Sequence, residues 1–393
     1  MRASEITKKE KMFIAQTYSR QPIVLTDGKG VFVKDIEGKK YLDLVAGIAV
    51  NCLGYSHPTI IETIKTQIAK LIHTSNLYYT LPQIELAEIL VKNSFKGKVF
   101  FCNSGTEAIE GAIKLARKAT GKKEIIAMEG AFHGRTLGAL SATWEEKYKK
   151  DFEPLVASFK HIKYGDSKAV ENAITKDTAA VIVEPIQGEH GIIVPPANYL
   201  NELREICDDN NILLILDEVQ TGLARTGKMF AYQHFDIEPD IMVLAKGLGG
   251  GFPIGAFIGK TKIIDKFQIG SHASTFGGNP LACAVAKSVI ETVIEENLTQ
   301  HAAEIGAYFK NKLQEISRNY EFIKDVRGIG LLLGMELAFK GDEVVELARK
   351  NGLLINCTAE KVLRFVPPLI IQKKHIDQAI AILEKIFKKL EGH

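Results

Sequence analysis

An acidic and a basic side chain each follow a run of apolar residues that is typical of a buried strand. Asp217 ends the run Leu213–Asp217, and Lys246 follows Ile241–Ala245 and precedes the glycines at 247–251. In open α/β sheets, ligands bind at the carboxyl ends of the strands. Burial there lowers the pKa of a lysine, and its neutral amine can condense with an aldehyde. A carboxylate for a pyridinium nitrogen and an amine for an aldehyde together favour pyridoxal 5′-phosphate (PLP) as the cofactor.

Two further segments could complete such a site. Asn103–Glu107 lies between an apolar strand and a helix, where backbone N–H groups and hydroxyls can face a phosphate, although an ordinary helix N-cap has the same sequence. In Ala131–Thr136, Phe132 could stack on a flat ring and Arg135 could bind a substrate carboxylate through two hydrogen bonds. Each residue alone has an ordinary structural explanation, as a core aromatic or a surface ion pair. Four such signals in one chain favour the cofactor site.

The pattern from about residue 98 predicts buried strands that alternate with amphipathic helices. Continuous apolar strands in this arrangement indicate a mostly parallel sheet that is covered on both faces. The predicted strands are Val99–Cys102, Glu124–Met128, Ala179–Glu184, Ile212–Leu216, Ile241–Leu244 and Gly255–Ile258, and the predicted helices are Glu107–Ala119 and Ala197–Asn210.

The two chain ends follow a different pattern. Val31–Lys34 and Lys40–Asp43 flank a Glu-Gly turn and predict a hairpin. We expect residues 1–50 to join a small domain, residues 51–280 to form a large cofactor-binding domain, and residues 281–393 to complete the small α+β domain. After Pro280 the sequence predicts one helix that runs to about Glu296, and three more at Gln300–Ser317, Asp342–Lys350 and Lys374–Glu391. It also predicts strands at Val326–Leu337 and Leu353–Asn356.

Composition and charge argue against several classes of function. The formal net charge of +3 is spread along 393 residues, so no concentrated basic face for nucleic acid is expected. The five cysteines are scattered, which predicts reduced thiols, and no Cys/His spacing predicts a metal site. The first thirteen residues have no apolar core of a signal peptide, and no apolar run is long enough to cross a bilayer. We therefore expect a cytoplasmic protein without a membrane partner.

Six motifs resemble those of the class III aminotransferases, a group of fold-type I PLP enzymes. The resemblance implies an α/β fold with a mostly parallel central sheet in the large domain, a smaller α+β domain built from both chain ends, and a homodimer with active sites at the interface. The motifs are Ser104–Glu107, Phe132–Thr136, Glu184–Glu189, Asp217–Gly222, Ala245–Pro253 and Ser274–Pro280.

The resemblance also implies a role for individual residues. Lys246 would be the catalytic residue that binds the cofactor aldehyde and transfers protons, and Asp217 would hold the pyridinium nitrogen. The other cofactor-binding residues would be Ser104, Gly105 and Thr106 at the phosphate, Phe132 and Val219 on the two ring faces, Gln220 at the ring oxygen, and Thr275 from the partner subunit. Substrate would be bound by Arg135, Ser274, Glu189 and Arg364, the last two forming a pair that opens only for the dicarboxylate partner.

The segment Ala46–Asn51 is similar to the acetylornithine members of the group. This implies transfer of the δ-amino group of N2-acetylornithine to 2-oxoglutarate, giving N-acetylglutamate 5-semialdehyde and glutamate, as in arginine biosynthesis. Alternatives within the family are succinylornithine, succinyldiaminopimelate, ornithine and 4-aminobutyrate aminotransferases, and an aminomutase or racemase. His190 stands where many relatives carry a small residue, which leaves the choice of substrate open. Ile109 stands where the acetylornithine members often carry asparagine, and a change that fills the core explains it.

Rival functions fit the sequence less well. Gly222–Met229 nearly matches the P-loop motif of NTPases. The last position of that motif is a Ser or Thr whose hydroxyl binds magnesium, and here it is Met229. The glycines at 247–251 do not have the dinucleotide-binding spacing. A PLP-dependent sensor would need a recognition domain, for which no segment of the chain remains.

Overall fold

The computed structural model describes residues 3–391, which form fifteen strands and a set of helices on both sides of a central sheet. The strands are β1 (Leu25–Lys29), β2 (Phe32–Asp35), β3 (Lys40–Asp43), β4 (Gly97–Cys102), β5 (Glu124–Met128), β6 (Phe159–Ile162), β7 (Thr178–Val183), β8 (Leu213–Asp217), β9 (Ile241–Leu244), β10 (Gly255–Lys260), β11 (Ile323–Ile329), β12 (Leu332–Leu337), β13 (Leu353–Leu354), β14 (Asn356–Thr358) and β15 (Val362–Phe365). The helices span Ala3–Phe13, Pro58–Ile68, Leu81–Lys92, Gly105–Thr120, Leu137–Ala142, Ser167–Ala173, Tyr199–Asp209, Thr261–Ile264, Pro280–Glu295, Leu298–Ser317, Asp342–Lys350 and Lys373–Glu391.

Seven strands form the central sheet, in the spatial order β4-β10-β9-β8-β7-β5-β6. The pairs from β9 to β6 are all parallel, whereas β10 runs antiparallel to both β4 and β9. Alternate residues belong to separate apolar clusters: Val181 and Leu214 pack on one face, and Ile182 and Ile215 on the other. The predicted mostly parallel sheet with two covered faces is therefore confirmed.

The register of β8 and β9 brings the two chemically informative residues to one edge of this sheet. Asp217, the last residue of β8, lies opposite Val243 of β9. Lys246 follows the end of β9 by two residues. Because the strands are parallel, both side chains leave the sheet at its carboxyl edge, where α/β proteins bind their ligands.

The chain ends meet in two smaller sheets. One has the order β1-β2-β3-β13, and in it β3 pairs in parallel with β13 through Leu42 and Leu353. The other is antiparallel, in the order β11-β12-β15-β14, and helix Leu298–Ser317 packs against β11. Residues near position 40 are thus hydrogen-bonded to residues near position 353. The domain boundaries themselves stay a prediction.

The structure corrects several predicted elements. The single strand predicted at Val326–Leu337 is two strands, because Gly330 adopts a φ of 58° and reverses the chain. The strand predicted at Leu353–Asn356 is divided between two sheets. β6 was not predicted, since it is an edge strand whose four residues are all only partly buried and whose sequence has no clear alternation. β1 and β15 were missed as well.

The helix that begins at Gly105 packs closely on the sheet. A Cβ at Gly111 would overlap the ring of Phe257 in β10. We expect Gly111→Ala to destabilise the protein by about 1–3 kcal/mol from overpacking, although alanine is the better helix former by about 1 kcal/mol. Thermal unfolding measures this, with Lys118→Ala on the exposed side of the same helix as the control. An unchanged or raised Tm in Gly111→Ala would contradict the packing described.

Candidate active site

A cavity of about 450 Å³ opens at the carboxyl ends of β8 and β9. It collects most of the residues that were predicted from the sequence to bind cofactor or substrate. Those that line it are Ser104, Gly105, Thr106, Phe132, Arg135, Asp217, Val219, Gln220 and Lys246. Ser274, Thr275, Glu189 and Arg364 are not among its lining residues.

Asp217 is held by two donors. Its Oδ2 lies 2.7 Å from Nδ1 of His133, and its Oδ1 accepts the N–H of Val219 at 3.0 Å. Both Asp217 and His133 are buried. An ionised carboxylate only accepts, so we assign the proton of this contact to Nδ1 of His133. His133 lies within the motif Phe132–Thr136, but its role could not be predicted from the sequence because its partner lies 84 residues away in the chain.

Lys246 begins a short 3₁₀ turn with a φ of 43°, a left-handed conformation that is uncommon outside glycine. Such strained residues concentrate at functional sites. Removal of water from the amine lowers the pKa of Lys246 below its ordinary value, and the charge of Glu189 partly opposes this. A lower pKa increases the fraction of neutral amine, which is the form that condenses with an aldehyde.

The phosphate end of the predicted site is a helix N-terminus. Ser104 is the N-cap of helix Gly105–Thr120, and its hydroxyl accepts the N–H of Glu107 at 3.3 Å. The N–H groups of the first turn have no partner within the helix, so an anion at this end can receive them. Gly105 also leaves room, since a Cβ there would lie 3.2 Å from Val219. The cavity therefore offers an anion site, an amine and a carboxylate, which fits PLP.

The flat sides of the cavity are apolar at two points. Phe132 and Val219 both line it, as a stacked ring would require. The ring of Phe132 also packs edge-on against Tyr148, with 6.3 Å between ring centroids. Tyr148 in turn lies under the guanidinium of Arg135, 3.7 Å from the ring centroid. Arg135 is thus exposed at the cavity and oriented by an aromatic side chain.

The predicted Glu189–Arg364 pair is present behind the cavity. Nη1 of Arg364 donates to Oε1 of Glu189 at 2.6 Å and to the carbonyl of Gly188 at 3.1 Å. Burial raises the pKa of Glu189, but Arg364, Lys246 and the hydrogen bond from Gln220 together outweigh burial and hold the pKa below its usual value. The side chain of Gln220, which lines the cavity, contacts both members at 3.3 Å. The ion pair therefore lies one side chain away from the cavity.

Two buried acids were missed by the sequence analysis. Glu184 lines the cavity and accepts the N–H groups of Phe132 and Gly188. Burial and the charge of Asp217 raise the pKa of Glu184 to about 7. Glu218 follows Asp217 but does not line the cavity, and burial raises its pKa also to about 7. Glu184 is the first residue of the motif Glu184–Glu189, and its place in that motif was the only sequence signal for a role in the site.

Ser274 and Thr275 lie on a loop outside the cavity lining. The hydroxyl of Ser274 accepts the N–H of Gly277 at 3.0 Å and the amide N–H of Asn103 at 3.2 Å. Thr275 is exposed. Of the two departures, Ile109 is fully buried in the core, and His190 lies 3.4 Å from Glu145 on the surface.

A strained turn at Ala46–Ala49 borders the cavity. The residues of Ala46–Ala49 have φ values of 49°, 65°, 65° and 59°, and Val50 lines the cavity. Left-handed backbone is unfavourable for residues other than glycine. The carboxylate of Asp43 offsets part of this by accepting the N–H groups of Val45 and Ala46 at 2.8 and 3.0 Å. The turn fixes the position of Val50.

Across residues 3–391, no helix is both long and apolar enough to span a bilayer. No group of three or more His, Cys, Asp or Glu side chains in that range is placed to hold a metal ion. The five cysteines are free thiols, four of them buried.

Known proteins resemble this chain over nearly its whole length. The family model for class-III aminotransferases matches residues 13–387. The acetylornithine aminotransferase of Methanothermobacter thermautotrophicus is 51% identical over 99% of this chain and 100% of its own length. The ornithine aminotransferase structure from Toxoplasma gondii has a TM-score of 0.97 at 34% identity, covering 100% of this chain and 96% of its own. The acetylornithine aminotransferase structure from Elizabethkingia anophelis has a TM-score of 0.89 at 36% identity, covering 99% and 100%.

Proposed function

The chain belongs to the class-III aminotransferase family, whose members depend on PLP, and we propose that it transfers the δ-amino group of N2-acetylornithine to 2-oxoglutarate. The products would be N-acetylglutamate 5-semialdehyde and glutamate, and the setting would be arginine biosynthesis in the cytoplasm. The observation that supports an aminotransferase most directly is the meeting of Lys246 and Asp217 in one cavity. The choice of N2-acetylornithine is supported by relatives of about 50% identity that carry the name acetylornithine aminotransferase.

The lining residues divide into groups with separate tasks. When bound, PLP supplies an electron sink for the substrate carbon that bears the amino group. The carboxylate of Asp217, oriented by His133 and Val219, would hold a proton at the ring nitrogen. The amine of Lys246 would remove the proton of the amine-bearing substrate carbon and return one later, as general base and then acid. Phosphate would be bound by the N–H groups of Gly105 and Thr106.

N2-acetylornithine has one carboxylate and 2-oxoglutarate has two. Two arginines would distinguish the substrates by this difference. Arg135 lines the cavity and would bind the α-carboxylate of the acylated donor through two hydrogen bonds. Arg364 would stay paired with Glu189 while the donor is bound, and would bind the additional carboxylate of 2-oxoglutarate once that pair opens. The contacts of Gln220 to both members would link the pair to the contents of the cavity.

A homodimer would complete the site. Leu77, Tyr79 and Phe276 are 83%, 97% and 61% exposed. Asn76, which precedes Leu77, donates hydrogen bonds to the carbonyls of Ser274 and Gly277. These bonds hold the segment of Leu77 and Tyr79 beside the loop that carries Thr275 and Phe276. Large apolar side chains exposed together favour an interface with a partner. Thr275 would then reach the phosphate in the active site of the partner subunit.

The reaction is tested by a panel of amino donors with 2-oxoglutarate: N2-acetylornithine, N2-succinylornithine, ornithine, lysine and 4-aminobutyrate. We expect kcat/KM for N2-acetylornithine to exceed that for each unacylated donor at least about tenfold, which corresponds to about 1.4 kcal/mol. Lys246→Ala should fold but lose turnover with every donor, because no other lysine among residues 3–391 lines the cavity. A higher kcat/KM for ornithine would reject the proposed donor, and turnover by Lys246→Ala would reject the proposed lysine.

The ion pair is tested by Glu189→Ala. Arg364 is then permanently unpaired, so the glutamate half-reaction should survive while the donor half-reaction slows by an amount equivalent to about 2–5 kcal/mol. Single-turnover rates of the two half-reactions measure this. The control is Glu336→Gln, which removes one of the two acidic partners of Arg327 outside the cavity and should leave both rates unchanged. Equal slowing of both half-reactions in Glu189→Ala would make Glu189 a structural residue.

Sharing of the active site is tested by mixing two variants. Thr275→Ala homodimers should bind PLP weakly, and Lys246→Ala homodimers should be inactive. In a mixed dimer, the lysine of one chain and the threonine of the other would rebuild one intact site. We expect the mixed dimers to recover wild-type PLP affinity and turnover in half of their sites. No recovery, or a monomer in light scattering at catalytic concentrations, would reject a shared site.

A further inference from the structure

One carboxylate joins two segments of the active site. Oε1 of Glu184 accepts the N–H of Phe132 at 3.0 Å, and Oε2 accepts the N–H of Gly188 at 3.1 Å. Glu184 lines the cavity and is only 5% exposed. Each oxygen therefore holds the backbone of a different segment, and one carboxylate links the two segments directly at the cavity.

The first segment carries the aromatic face of the cavity. Its backbone is fixed at Phe132 by Glu184 and at the next residue by Thr143, whose hydroxyl accepts the N–H of His133 at 2.9 Å. The His133 side chain reaches Asp217 from the same segment. A shift of this segment would move the stacking ring and the partner of Asp217 together.

The second segment leads directly to the ion pair. The carbonyl of Gly188 accepts a hydrogen bond from Arg364 at 3.1 Å, and the next residue is Glu189. A side chain at Gly188 would overlap the amide of Gln220, so this backbone lies flat against a cavity-lining residue. The N–H of Gly188 thus donates to Glu184, and the carbonyl of the same residue accepts from Arg364.

We propose that Glu184 is a positioning residue that couples the stacking segment at Phe132 to the Glu189–Arg364 pair. This inference rests on the proposed roles of Phe132 and Arg364 in cofactor and dicarboxylate binding. Loss of either oxygen as an acceptor leaves a buried N–H unpaired, which moves the segment that carries it. Because both segments are held by the same carboxylate, a disturbance of one is transmitted to the other.

Glu218 provides a matched control. It is also a buried glutamate that accepts two backbone N–H groups, from Ala231 at 3.0 Å and Tyr232 at 2.8 Å. It does not line the cavity. If Glu218 has a purely structural role, its substitution should lower the free energy of unfolding and leave ligand binding unchanged. Substitution of Glu184 should give the same result if its role is also purely structural.

The test is Glu184→Gln against Glu218→Gln, measured in two binding experiments. The amide keeps the shape of the side chain but replaces one acceptor with an NH₂ group that faces a backbone N–H. We expect the Kd of the apoprotein for PLP and the Kd of the PLP-loaded protein for glutarate, an unreactive dicarboxylate, both to rise at least about tenfold. Glu218→Gln should lower Tm but leave both Kd values within about twofold of wild type.

Several results would overturn the coupling. If Glu184→Gln changes neither Kd, or only one of them, Glu184 does not link the two segments. If Glu184→Gln fails to fold, Glu184→Asp answers the same question, because it keeps the carboxyl group but is too short to reach both donors. Wild-type protein that fails to bind glutarate would reject the role of Arg364 and this inference with it. Wild-type protein that binds PLP and glutarate but does not use N2-acetylornithine would reject the proposed donor alone.

Discussion

The parallel pairing of β8 with β9 is the constraint on which the site depends. It places the carboxylate of Asp217 and the amine of Lys246 at one edge of the sheet, where the carboxylate is buried and the amine is largely removed from water beside the cavity. Isolated charges in such a place are unstable, so each needs partners. Asp217 has His133 and Val219, and the charges of Glu189 and Asp217 act on Lys246. The remaining polar residues of the cavity surround this pair.

Three neighbouring buried acids, Asp217, Glu184 and Glu218, differ in the partners that surround their carboxyl groups. Asp217 faces an imidazole and one backbone N–H, Glu184 accepts two backbone N–H groups from cavity segments, and Glu218 accepts two backbone N–H groups and a hydroxyl away from the cavity. Burial favours the neutral form of a carboxyl group, whereas donors favour the ionised form. Their partners, and not their residue type, decide what each can do.

The C-terminal part of the chain contributes to chemistry that lies mainly in the central part. Arg364 lies on β15, in a sheet built after residue 320, yet its guanidinium meets Glu189 and Gln220 beside the cavity. Arg225 strengthens the same contact between the two parts by donating to the carbonyls of Leu331 and Pro367. The geometry of the Glu189–Arg364 pair therefore depends on how the two parts are packed.

The sequence by itself determined the local features. Apolar runs ending in Asp217 and Lys246, the N-cap at Ser104 and the alternation of strands and helices depend on neighbours in the chain, so their spacing predicts them. Only the tertiary structure decided which acids pair with which donors. His133 meets Asp217 across 84 residues and Glu189 meets Arg364 across 175, while Glu184 takes one donor from 52 residues away. The resemblance to class III aminotransferases suggested that Glu189 and Arg364 form a pair, but it could not give the distance between them. β6 and the chain reversal at Gly330 were also invisible, because half-buried edge strands and turns depend on what packs beside them.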